Sequence, residues 1–210
     1  MPKGVFQVPL PINETVRSYA VGTADRDNLL NQYRAMYNQA PIDVPMYIGS
    51  EEVRTGDVHD LFPPHDRHHK IGQYHRGTAS HVHQAIDAAL AAKPMWESMP
   101  WEQRAAIFLK AADLISDKYR YKILASTMLC QSKNAYQAEI DAACEFADFL
   151  RFNVYFMEKI YADQPSSTSE ITNSLEYRAL EGFVFAITPF NFTAIAGNLF
   201  AAPALMGNTV

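Results

Sequence analysis

From Gly182 to Val210 the chain carries no charged side chain, although Lys, Arg, Asp and Glu make up 20% of the whole. An uncharged tract of that length has three outlets: a membrane span, a buried core, or the wall of a site. The length reaches the ~20 residues a span needs. The content does not fit, because Pro189 and Asn191 would leave backbone and amide groups unsatisfied in lipid. The tract parses better as a strand over residues 182–188, a tight turn at Thr188–Pro189–Phe190, and a helix from about Asn191 to Met206. "GFVFAI" is the short apolar run of a strand buried on both faces. The chain stops in "GNTV", which reads as the opening of a further strand. The expectation is the front part of a longer protein.

The remainder is a globular chain of 210 residues, 48% hydrophobic, long enough to bury a sizeable core. Net charge is −5 with acids and bases interspersed and no Lys/Arg block, which argues against a nucleic-acid partner. Two cysteines, Cys130 and Cys144, fit a reducing compartment and packing roles. The first 22 residues have neither the apolar core of a secretory signal nor an Arg/Ser-rich amphipathic helix. The cytoplasm is the expected location, with the mitochondrial matrix as the alternative.

Residues 1–45 form a Pro-rich arm around one amphipathic segment, "DRDNLLNQYRAMYNQ". "MYIGSEEVRTG" reads as strand, turn and strand, and residues 61–77 as a further strand pair that takes in His65, His68, His69 and His75. Four helices are expected next. The first has Ser80 as N-cap, with Val82, Ile86, Ala89 and Leu90 on one face; the second opens at Pro100; the third is "RYKILASTMLCQSKN". The fourth and longest runs from about Ala135 to Ala162, with Ile140, Cys144, Ala147, Leu150, Val154, Met157 and Tyr161 as one apolar stripe. Phe146, Phe149, Phe152 (or Asn153), Phe156 and Ile160 form a second. "LEYRAL" then alternates as a strand. Helices followed by a buried strand and another helix predict an α/β architecture.

Ligands collect where a strand's carboxyl end meets a helix's amino end, because free N–H groups there favour negative charge. Asn191 lies at that junction. Its carboxamide can cap the helix, the reading its position alone favours, or turn outward to stabilise an oxyanion. Asp141, Glu145 and Asp148 are spaced to share one helix face, which is either solvated or partly buried and functional. The histidines lack Cys or HExxH company, so no metal site is expected. No GxGxxG is present.

Together with "MPWEQRAAIFLKAADLI", "QAEIDAACEFADFLRFN" and "YRALEGF", the stretch "PFNFTAI…APALMGN" resembles the aldehyde dehydrogenase superfamily from about Tyr47 onward. Within it, Phe190 in place of Trp resembles the branch that oxidises L-glutamate γ-semialdehyde in proline degradation. The resemblance implies the first part of a Rossmann-type NAD-binding domain over residues 46–210, a helix-rich layer followed by strands, with the catalytic domain outside this chain. It implies NAD as cofactor, a small-molecule aldehyde as substrate, no membrane, and a homo-oligomer at full length, with residues 164–181 in an oligomerisation flap. Asn191 then matches the oxyanion-hole asparagine, Phe192 the aromatic against the substrate's aliphatic chain, and Glu145 the acid that holds the substrate's α-ammonium. Ile187, Thr188, Pro189 and Phe190 match the strand end that lines the cofactor cleft. The nucleophilic cysteine, the general-base glutamate and the glycine-containing cofactor loop belong to later parts of the family's sequence. The alternative is a non-catalytic, subunit-binding module, or an aldehyde dehydrogenase of another substrate class.

Overall fold

The computed structural model describes Gly4 and residues 6–210. The reading of the first residues as no signal or transit peptide falls partly on residues 1–3 and 5, which lie outside the described residues.

After an extended arm, α1 (Ala24–Asn38) starts where the Thr23 hydroxyl accepts from the Arg26 N–H, an N-cap that satisfies one orphan donor. Five short strands follow: β1 (Ile42–Val44), β2 (Met46–Ile48), β3 (Glu51–Val53), β4 (Val58–Leu61) and β5 (Gly72–His75). β1 pairs parallel with β5, and β5 antiparallel with β4, while β2 and β3 form a separate hairpin. His65, His68 and His69 sit in the turns before β5, not on a strand; Asp66 accepts from the His68 N–H there.

Helices then dominate: α2 (Ala79–Ser98), α3 (Trp101–Ser116), α4 (Arg120–Gln131), a single turn α5 (Ala135–Ala138), α6 (Phe146–Ala162) and α7 (Thr193–Leu205). The N-cap of α2 is Thr78, two residues before the expected Ser80, and the His81 ring accepts from the Thr78 N–H. α6 is the spine. Its Ala147, Leu150, Val154 and Met157 pack on Ala105, Phe108, Ala112 and Ile115 of α3 and on Ala201 and Leu205 of α7. A second cluster joins Leu29 of α1 to Leu124 and Ala125 of α4. Two expected stripes differ in outcome. Of the first, Cys144, Ala147, Leu150, Val154 and Met157 are buried and Ile140 and Tyr161 half-buried, whereas Phe156 and Ile160 of the second stay exposed. On α2, Val82 and Leu90 are likewise exposed.

The long helix is not uniform. Between α5 and α6, Glu139–Glu145 is π-helical, bonding i→i+5. The extra residue per turn breaks the shared face expected of Asp141, Glu145 and Asp148. Asp141 is buried, Glu145 reaches solvent, and Asp148 accepts from Asn13 and from the Glu14 N–H of the arm.

The arm is held by charge. Arg120 and Glu139, both fully buried, pair with each other, and Arg120 also reaches Glu14 at 2.9 Å and the carbonyls of Ser116 and Thr15. Arg151 binds the other Glu14 oxygen at 2.7 Å. Burial works against the Glu14 charge; hydrogen bonds from Arg151 and Arg120 outweigh it and hold the carboxyl below its ordinary value.

The expected strands at "LEYRAL" and residues 182–188 are extended but unladdered. Within 182–188 one backbone bond, Val184 N–H to the Thr209 carbonyl at 2.8 Å, ties the segment to the returning chain. A strand needs a neighbour for its N–H and C=O rows, and residues 208–210 offer only this backbone bond. Extended segment, helix and returning segment nonetheless trace a βα unit, in keeping with the α/β class.

Candidate active site

The turn that enters α7 falls at Phe190–Asn191, two residues later than expected, and the helix begins at Thr193. Asn191 does not cap it. The cap comes from the π-helix: Asp141 accepts from the Thr193 N–H and the Ala194 N–H, both at 3.0 Å. A carboxylate on free N–H groups at a helix's positive end is favourable on both counts. Thr193 is fastened further by Thr127 and Gln131 through its hydroxyl. Gln131 Oε1 beside it is buried without a hydrogen-bond partner among the described residues.

Lys133 closes the corner. α4 ends at Ser132 in the left-handed region (φ 55°), and the chain turns so that Asn134 can cap α5. The Lys133 ammonium between them lies 2.7 Å from Asp141 Oδ2 and 2.6 Å from the Asn191 carbonyl, and 4.1 Å from the Phe192 ring centroid. Backbone and ring are therefore gripped while the Asn191 side chain, exposed, makes no hydrogen bond among the described residues.

Glu145 borders the same cluster. Burial pushes its carboxyl above the ordinary value, the Asp141 charge pushes it further, and Lys133 pulls part of the way back. The charges that act on Glu145 thus include both members of the Lys133–Asp141 pair that holds the 191–194 corner. A carboxylate kept short of counter-charge is one that gains by binding a cation.

Neither thiol is poised for attack. Burial and Glu139 push Cys144 up to about 12. Cys130, expected to pack, is exposed. Among the described residues no three His, Cys, Asp or Glu side chains converge on a metal position.

On the far side of the 182–188 segment an apolar cavity of about 640 Å³ is lined by Val82 and Ile86 of α2 and by Phe183, Phe185, Thr188 and Phe200. Of the four residues read as a cofactor wall, Thr188 contributes to this lining; Ile187 and Phe190 are 77% and 94% exposed at the corner.

Residues 52–210 match the aldehyde dehydrogenase family, and the chain belongs to that family. Over 206 residues it is 50% identical to the probable delta-1-pyrroline-5-carboxylate dehydrogenase of Schizosaccharomyces pombe, covering 98% of this chain and 38% of that protein. It is 46% identical over 198 residues to the mitochondrial delta-1-pyrroline-5-carboxylate dehydrogenase of Bos taurus, covering 94% of this chain and 35% of that one. The crystal structure of the Mycobacterium tuberculosis delta-pyrroline-5-carboxylate dehydrogenase bound with NAD superposes with a TM-score of 0.96 at 47% identity, covering 100% of this chain and 39% of that one. The chain thus spans about 38% of the length of the first of these relatives.

Sequence reasoning missed Lys133 and the capping role of Asp141. "QSKN" did carry a signal, a polar helix end followed by an Asn N-cap. Nothing in it tells that the lysine folds back onto a segment 58 residues away.

Proposed function

We propose that this chain is the N-terminal portion of an NAD-dependent dehydrogenase that oxidises L-glutamate γ-semialdehyde, the open form of 1-pyrroline-5-carboxylate, to L-glutamate. The observation that carries the reading is the corner at residues 191–194. Its backbone groups are taken by Asp141 and Lys133, so the Asn191 carboxamide is left to donate to a substrate.

In this reading the aldehyde oxygen lies against Asn191 Nδ2. When a thiolate supplied from outside these residues adds to the carbonyl carbon, that amide stabilises the oxyanion without having to reorganise. Glu145 accepts the substrate's α-ammonium, and the Phe192 ring covers its aliphatic carbons. NAD, when bound, accepts the hydride. The cavity wall at Phe183, Phe185 and Thr188 suits the flat apolar faces of a dinucleotide. Its lining among the described residues includes no cation for the phosphates, and Asp141 already occupies the first two α7 N–H groups, so in this reading the main phosphate contacts come from elsewhere in the enzyme.

Residues 46–210 are read as the first portion of the NAD-binding domain behind an arm of residues 1–45. Residues 164–181 contribute to an oligomerisation flap; Ile171 and Leu175 there are exposed, which supports a homo-oligomer of two or more copies. No helix among the described residues is long and apolar enough to cross a membrane. The compartment is read as the cytoplasm or the mitochondrial matrix.

The test uses an enzyme of the relatives' length that contains this chain. Asn191→Ala lowers kcat about 100-fold or more, the usual loss for one oxyanion donor. Glu145→Gln raises KM for the amino-acid semialdehyde while sparing simple aldehydes. An Asn191→Ala enzyme with undiminished kcat, or equal losses on both substrates for Glu145→Gln, would refute the assignments.

A further inference from the structure

We propose that Lys133 is a positioning residue for Asn191, an inference that rests on the oxyanion reading above and goes one step behind it. Asn191 follows a long stretch with almost no backbone ladder and precedes α7. Nothing in its own side chain holds it. The Lys133 ammonium, 16% exposed, joins three parts of this corner: the Asn191 carbonyl at 2.6 Å, the Phe192 ring, and Asp141, which itself holds Thr193 and Ala194. A gripped carbonyl fixes the plane of the 191–192 peptide. That plane sets the direction in which the Asn191 Cα–Cβ bond leaves the chain, and so where its Nδ2 donor stands.

Two local features support a built device. The aiming turn contains Ser132, the positive-φ non-glycine residue among those described, a conformation that is uncommon outside Gly, Asn and Asp. The ammonium also has three separate partners where solvent would otherwise serve.

Lys133→Met keeps the aliphatic stem and leaves Asp141 with both of its backbone donors, so α7 stays capped. In the full-length enzyme the expected effect is a loss in kcat of about 10-fold or more, since an ångström of misplacement at a reacting centre can cost about 100-fold. KM for simple aldehydes changes little. The deciding measurement is the double-mutant cycle with Asn191→Ala. If Lys133 acts through Asn191, adding Lys133→Met to Asn191→Ala lowers kcat by less than about 2-fold more, because no donor is left to misplace. Equal fold losses in both backgrounds, or an unchanged kcat in Lys133→Met, overturn the inference. An Asn191→Ala enzyme of normal kcat overturns the oxyanion reading instead, so the two failures are separable. Should Lys133→Met give no soluble enzyme, Lys133→Arg serves in the same cycle. Its broad guanidinium keeps the charge but cannot sit as a point between carbonyl and ring. A loss that disappears in Asn191→Ala supports the proposal, and an unaltered or fully additive kcat overturns it.

Discussion

Replacing Arg120 with methionine removes the cation on which the N-terminal arm is fastened. The guanidinium is wholly buried and serves Glu139, Glu14 and the carbonyls of Ser116 and Thr15. Without it Glu139, also wholly buried, keeps the Tyr19 hydroxyl at 2.7 Å, the Arg17 N–H at 2.8 Å and the weak Cys144 thiol donor at 3.6 Å, none of them charged. Glu14 retains Arg151 and is the lesser casualty. Breaking a buried pair by deleting one partner costs about 3–5 kcal/mol, because a desolvated charge is left behind. Urea unfolding of Arg120→Met, Glu139→Leu and the double variant checks the cause as well as the amount. The double variant strands no charge and should recover at least about half of the Arg120→Met loss. A single-variant loss below about 1 kcal/mol, or a double variant as unstable as the sum of its parts, would refute the view of this network as a charge-balanced clamp.

The other perturbations probe the site itself. Because folding raises the Glu145 pKa, the native state holds that proton more tightly than the unfolded chain does. Stability therefore falls as pH rises from the unfolded value through the raised native one. Glu145→Gln should be more stable than the parent at pH about 7, with the gain vanishing below about pH 4, as read from denaturant curves at each pH. Gly197→Ala places a methyl group on the Phe146 ring, against which the glycine packs; overpacking of this kind costs about 1–3 kcal/mol, measurable as a lower urea midpoint with unchanged m.

Helix content was legible because periodicity reports which side of an element is dry. Ala147, Leu150, Val154 and Met157 were spaced for one buried face and occupy one. The strand expected at residues 182–188, buried on both faces, is not formed: Phe185 and Ile187 are exposed and one backbone bond is made, because a sheet depends on partners that local sequence does not contain. Asn191 and Glu145 could be marked as candidates from their positions. That Asp141, not Asn191, caps α7 could not be, since the cap crosses 52 residues of chain and depends on a π-helical turn. Lys133 was invisible for the same reason. A lysine in a polar turn is unremarked until the fold brings a carbonyl, a carboxylate and a ring around it.

The π-helical stretch has one more consequence. An ordinary helix has a single phase, advancing about 100° per residue, so the needs of its first half dictate which way its second half looks. The wide turn at Glu139–Glu145 works like a spare link. Upstream, Glu139 faces inward to the arm's clamp; downstream, Leu150 and Val154 face the apolar spine; between them Asp141 reaches sideways and Glu145 looks out. Take that link out and the two halves must share one rotation, so either the spine or the carboxylates would have to turn away from the place each now occupies.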